Sequence, residues 1–101
     1  MIRVIYRWRV DPDRREEFAA WWHAGTLRIR STRPGALGST LLAPSTDVLQ
    51  FAAVARWRSR EDVEAFWAEP GGSPFDGAEL ISTETFEEVD DLTLQDPGTG
   101  L

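Results

Sequence analysis

The sequence predicts an α+β domain in the split β-α-β-β-α-β order of the ferredoxin-like fold, built on an antiparallel sheet. Three observations carry that expectation. Two stretches, Ile2–Val10 and Leu49–Arg58, alternate as half-buried strands do. Helical patterns follow each of them. Charge is divided along the chain so that an acidic last strand can lie beside a basic first one.

The first strand puts Ile2, Val4, Tyr6, Trp8 and Val10 on one face and Arg3, Ile5, Arg7 and Arg9 on the other. Asp11-Pro12 ends it and opens a helix, with Asp11 as N-cap and Pro12 at the first helical position. Phe18, Trp22, Gly25 and Ile29 make that helix's apolar stripe, with Trp21 and Thr26 beside it. Gly25 costs helix propensity, which predicts a close approach to the sheet or to a ligand there. Arg28, Arg30 and Arg33 suit the negative helix end, and Pro34-Gly35 closes it.

A second strand over Leu37–Ala43, a turn at Pro44–Asp47 and the Leu49–Arg58 strand follow. Phe51, Ala53, Ala55 and Trp57 share one face of the latter. Ser59 is an N-cap, Glu61 and Asp62 favour the positive helix end, and Val63, Phe66 and Trp67 recur at helical spacing. Glu69–Pro74 is a breaker-rich loop, Phe75–Leu80 a short helical turn, and Ser82–Val89 the last strand. Residues 1–92 form one domain on this reading, and residues 93–101 a flexible tail.

All eleven basic residues are arginines between Arg3 and Arg60, while Glu61 onward holds acids and no base. With strand order 4-1-3-2, Glu84, Glu87 or Glu88 can pair with Arg3, Arg7 or Arg9. The acidic Asp90-Asp91 end, with Glu87 and Glu88, reads as a solvated strand terminus. A net charge of −6 argues against a nucleic-acid partner. No cysteine and a single histidine leave no thiolate or multi-histidine metal site. The chain starts directly in a strand pattern and has no apolar run of membrane-spanning length, so a cytoplasmic protein without membrane contact is expected.

Helices on one sheet face leave the other uncovered, with Ile5, Ala52 and Val54 among arginines. A homodimer through that open face is the expected solution. On the helix side, Tyr6, Trp8, Trp22 and Trp57 surround Ala53 and Ala55. This frames either a pocket for a flat organic ligand or a core whose tryptophans fill the space the alanines leave. Tyr6 can hydrogen-bond a phenol or relay a proton. His23 is a candidate base, but one residue past Trp22 it turns about 100° away, toward the helix rim.

Trp8-Arg9-Val10, the Asp11-Pro12 helix start, Pro34-Gly35-Ala36-Leu37-Gly38-Ser39 and Ala55-Arg56-Trp57-Arg58-Ser59-Arg60-Glu61 together resemble the antibiotic biosynthesis monooxygenase family of dimeric α+β barrels. The resemblance runs to about Asp91. In its quinone-forming members a tryptophan ending the third strand lines the pocket, and Trp57 matches it. Their asparagine four residues earlier is Ala53 here, and their tyrosine in the following helix is Val63. The haem degraders of the family carry a haem-ligating histidine after the second helix, where this chain has none.

The resemblance implies a cofactor-independent monooxygenase that oxidises a phenolic or polycyclic aromatic substrate with dioxygen. Tyr6, Trp57 and His23 are its catalytic candidates. Trp8, Trp22, Thr26, Ala53 and Phe66 are its substrate-binding candidates. The alternative is a dimeric small-molecule-binding or accessory protein that keeps the fold without the catalysis.

Overall fold

A computed structural model describes residues 1–47, 49–72 and 74–93, so all of the expected tail except Thr93 lies outside the described residues. The two alternating stretches form β1 (Ile2–Val10) and β3 (Gln50–Trp57), which pair antiparallel from Ile2 opposite Trp57 to Arg9 opposite Gln50. β2 (Ala36–Leu42) borders β3 and β4 (Ala78–Glu87) borders β1, giving the order β2-β3-β1-β4. Helix α1 (Arg15–Thr32) joins β1 to β2, and α2 (Arg60–Ala68) joins β3 to β4. The ferredoxin-like order and topology are those the sequence predicts.

The β1–β3 register matches large residues with small ones at the sheet centre. Tyr6 faces Ala53 and Val4 faces Ala55. Val63 of α2 packs against Ile2, Val4, Ala55 and Trp57, while Phe18 of α1 packs against Val10 and Phe51. The core therefore has two centres, one at each end of the sheet, both on the helix side. Helix α2 starts as expected: the Ser59 hydroxyl oxygen accepts from the Asp62 amide at 3.2 Å and donates to the Asp62 carboxylate at 2.9 Å.

The expected charge pairing is present. Arg7 meets Glu84 at 3.3 Å, and Arg3 meets Glu88 at 3.1 Å. Glu88 and Asp91, expected as a solvated strand end, are instead held against the open face. Arg56 Nε lies 2.9 Å from Glu88 and its terminal nitrogen 3.3 Å from Asp91. The reason is geometric: β4 stops at Glu87, one residue before Glu88, and the chain turns across β1 toward β3. Val89, expected inside the strand, is 98% exposed.

Three local expectations are corrected. Phe75–Leu80 is not a helical turn, because Gly77 at φ +100° breaks the backbone and β4 begins at Ala78. Phe75 anchors that turn between Phe18 and Trp21, with ring centroids at 5.6 and 5.8 Å. Pro12 opens a 3-10 turn over Pro12–Arg14 before α1, and Asp11 gives no side-chain cap. Its amide instead donates to the Gly77 carbonyl at 2.9 Å. Gly25 makes no close approach, since a Cβ there would meet only Arg28, at an ordinary 3.8 Å.

Gly35 is a position where the fold requires glycine on two counts. Its φ of +79° is left-handed, and a Cβ would overlap the Asp62 side chain at the start of α2. The Gly35→Ala variant is expected to lose about 1–3 kcal/mol from backbone strain alone, whereas Gly25→Ala should gain up to about 1 kcal/mol of helix propensity. Urea unfolding of both variants checks the opposite signs.

Glu88 is held below the usual carboxylate range, chiefly by its hydrogen bond from Arg56 and then by Arg3. Asp91 is lowered mainly by hydrogen bonds from Thr93. A folded-state pKa below the unfolded one gives stability that is complete above the unfolded value and lost as pH falls through the folded one. Stability should therefore drop below about pH 4, the ordinary carboxylate range. Glu88→Gln should flatten that drop in melting curves recorded from pH 7 to pH 3.

Candidate functional site

A groove of about 410 Å³ opens between the C-terminal halves of the two helices. Helix α1 contributes Arg28, Ile29 and Thr32 and its C-cap Arg33, and α2 contributes Phe66 and Trp67. The Glu69–Gly72 loop closes one side, its Pro-Gly-Gly run ending the second helix where the breaker chemistry requires. The volume falls within the ~300–1,000 Å³ usual for organic ligands. Ile29 and Phe66 reach down to the Trp57 core cluster, so the floor is apolar and anchored on packed residues.

Polar side chains at the groove are mostly committed. Arg33 forms an ion pair with Glu69, tying the end of α1 to the end of α2, and its guanidinium lies 5.8 Å from the Phe66 ring centroid. The Thr32 hydroxyl donates to the Arg28 carbonyl at 2.6 Å. Trp67 is 43% exposed, and its indole Nε1 donates to the Tyr6 hydroxyl at 3.2 Å.

That last bond connects the groove to the sheet. Tyr6 projects from the middle of β1, stacked on Trp8 at 5.8 Å, and packs against the Val4–Trp57 cluster. Burial raises the Tyr6 pKa above its ordinary value, with the Trp67 hydrogen bond opposing the rise. Tyr6 therefore stays protonated near neutral pH. Its oxygen accepts from Trp67, and its own proton has no acceptor among the described residues.

The residues singled out from sequence separate into three groups. Phe66 lines the groove, and Tyr6 stands behind Trp67. Trp57 and Ala53 belong to the packed interior, and Trp8 and Trp22 are half-buried at its edge. Trp57 is 3% exposed with its ring 5.2 Å from Phe66, Ala53 is 1% exposed, and Trp8 and Trp22 pack against the Val10–Phe18–Phe51 cluster. His23 is exposed on α1, and Thr26 is half-buried there. Neither lines the groove.

Sequence reasoning missed Trp67, Arg28, Arg33 and the Gly71-Gly72 wall. Trp67 showed only helical spacing, and the arginines only a favourable helix end. Among the described residues no cluster of acids or histidine is placed to hold a metal ion. The groove lining carries no histidine, cysteine, methionine or tyrosine of the kinds that ligate haem iron. No helix of the described residues is long and apolar enough to cross a membrane.

A split β-α-β-β-α-β sheet with a groove between its helices defines a ferredoxin-like α+β domain. Within that class, the chain belongs to the antibiotic biosynthesis monooxygenase family, whose sequence profile matches residues 1–71. Solved structures agree on the fold. The haem degrader MhuD of Mycobacterium tuberculosis, with two haems in its active site, superposes with a TM-score of 0.77 at 23% identity, covering 92% of this chain and 100% of that one. The cofactor-independent oxygenase SnoaB of Streptomyces nogalater, as an Asn-to-Ala mutant, gives 0.67 at 22% identity, covering 90% and 95%. At such identities the likeness establishes a shared fold. No curated protein matches the chain.

The Tyr6–Trp67 bond is directly testable because Tyr6 is the chain's one tyrosine. Ultraviolet titration should show phenol ionisation above pH 10, the ordinary value. Trp67→Phe removes a donor that favours the phenolate, so it should move the transition higher still.

Proposed function

We propose that the chain is a cofactor-independent monooxygenase that oxidises a phenolic, quinol- or anthrone-like aromatic with dioxygen in the groove between α1 and α2. The observation that carries this reading is the Trp67–Tyr6 pair: a half-exposed indole lining an apolar groove, bonded to a half-buried, protonated phenol. Phe66 and Trp67 offer flat faces for aromatic rings. Tyr6 stands behind Trp67 and outside the groove lining, so its O–H meets a developing oxyanion once the Trp67 indole swings aside, a stabilisation that gains strength where water is excluded.

The substrate supplies the electrons. Its phenolate reduces dioxygen, and the resulting pair recombines at the ring carbon. With an anthrone, one oxygen atom replaces the two hydrogens of the ring methylene as a carbonyl, and the other leaves with those hydrogens as water. The protein's part is to hold the ring, exclude bulk water and steady the oxyanion. Tyr6 acts here as a donor and not as a base, consistent with its raised pKa. His23, exposed and outside the groove lining, has no step in this scheme.

A second reading, a binding or accessory protein without catalysis, is favoured by the apolar character of Ala53 and Val63, buried at 1% and 0%. Oxygen-electrode assays with an anthrone or naphthohydroquinone separate the two. The oxygenase consumes oxygen, and Tyr6→Phe lowers kcat by about 10²-fold or more, the scale seen when one oxyanion donor is removed. Saturable binding with no oxygen uptake above the buffer rate would establish the second reading.

We also propose that a second copy covers the open sheet face. By register, Ile5, Val54, Leu42 and Phe86 share that face, with Leu42 and Phe86 48% and 46% exposed. Burying such a patch by a twofold axis is the economical arrangement. Sedimentation should give a dimer mass for the native chain and a monomer mass for Phe86→Glu.

A further inference from the structure

The groove's donors can be accounted for one by one, and the account leaves a single side chain uncommitted. The Thr32 hydroxyl is used by the Arg28 carbonyl, the Arg33 guanidinium by Glu69, and the Trp67 indole by Tyr6. Arg28 lines the same groove, and no ion pair found among the described residues includes it. Its guanidinium folds back along α1, its terminal nitrogen 3.8 Å from where a Cβ on residue 25 would lie. With Arg33 neutralised by Glu69, the groove lining carries one net positive charge, on a chain whose formal net charge is −6.

An arginine left unpaired at the edge of an apolar groove is free to swing its planar fork of donors from the helix surface onto whatever enters. The planar partner that fits that fork is a carboxylate, held through two parallel hydrogen bonds. The aromatic walls and the cation then define one ligand, with rings against Phe66 and Trp67 and an acid group at one end. We propose that the groove selects aromatic carboxylates and that Arg28 is the residue that reads the acid group. The proposal rests on the groove assigned above as the substrate site. It adds the substrate's charge, which the oxygenase reading leaves open.

The test compares naphthalene-2-carboxylate with its neutral methyl ester, both inert to oxygen, by isothermal titration of the full chain. The carboxylate should bind about tenfold or more tightly than the ester. In Arg28→Gln the two should bind within about twofold of each other. In Arg30→Gln, which alters a neighbouring exposed arginine outside the groove, the tenfold preference should remain. Circular dichroism of each variant confirms folding.

Equal affinities in the native chain, a preference that survives Arg28→Gln, or binding of neither probe would each overturn the proposal. Because neither probe is oxidised, these results are independent of turnover. A chain that prefers the carboxylate but consumes no oxygen with any quinol would keep this proposal and lose the oxygenase reading.

Discussion

The antiparallel register between β1 and β3 is the constraint on which the rest of the structure depends. It sets Tyr6 beside Ala53 and Trp57 beside Ile2, and so decides which side chains face the helices. A slip of one residue would send the arginines of β1 inward and its aromatics outward, because side chains alternate with period two. Two independent features resist that slip. Burial of Val4 and Val63 leaves no room on the helix side for a guanidinium. The Arg3–Glu88–Arg56 cluster then pins the opposite face across three strands' worth of chain.

The same register explains how the sheet reaches the groove. Tyr6 stands at the strand centre with a small residue opposite, which leaves its ring free to extend toward α2 and meet Trp67. The helices, for their part, are tied at their C-terminal ends by Arg33 and Glu69, while Phe66 bridges the groove and the core. The groove is thus a product of helix placement, and its polar character comes from side chains that the packing leaves over. Its apolar floor costs no unsatisfied polar group. The one buried side-chain oxygen without a partner among the described residues is Ser39 Oγ, on β2.

Most of the fold was legible in the sequence because its determinants are local or periodic. Alternation in β1 and β3, the Ser59 cap and the Pro34-Gly35 break each act within a few residues. The segregation of arginines from acids extended that reading to the pairing of β1 with β4. The failures have equally local causes. Gly77 and the burial of Phe75 against Phe18 and Trp21 override the weak helical signal at Phe75–Leu80. The destination of Glu88 and Asp91 depends on an arginine of β3, more than thirty residues away.

The groove was legible only in part. Phe66 and Tyr6 could be singled out as aromatics on the helix side, but a tryptophan at helical spacing looks the same whether it fills a core or lines a cleft. Trp57 fills the core, and Trp67 lines the cleft. Only the crossing of the helices distinguishes them. The measurement that tests the central reading most directly is a crystal structure of the chain grown anaerobically with a bound naphthohydroquinone. The account predicts the rings against Phe66 and Trp67, between the ends of α1 and α2. A ligand lodged instead between Ala53 and a displaced Trp57, or on the open sheet face, would contradict it.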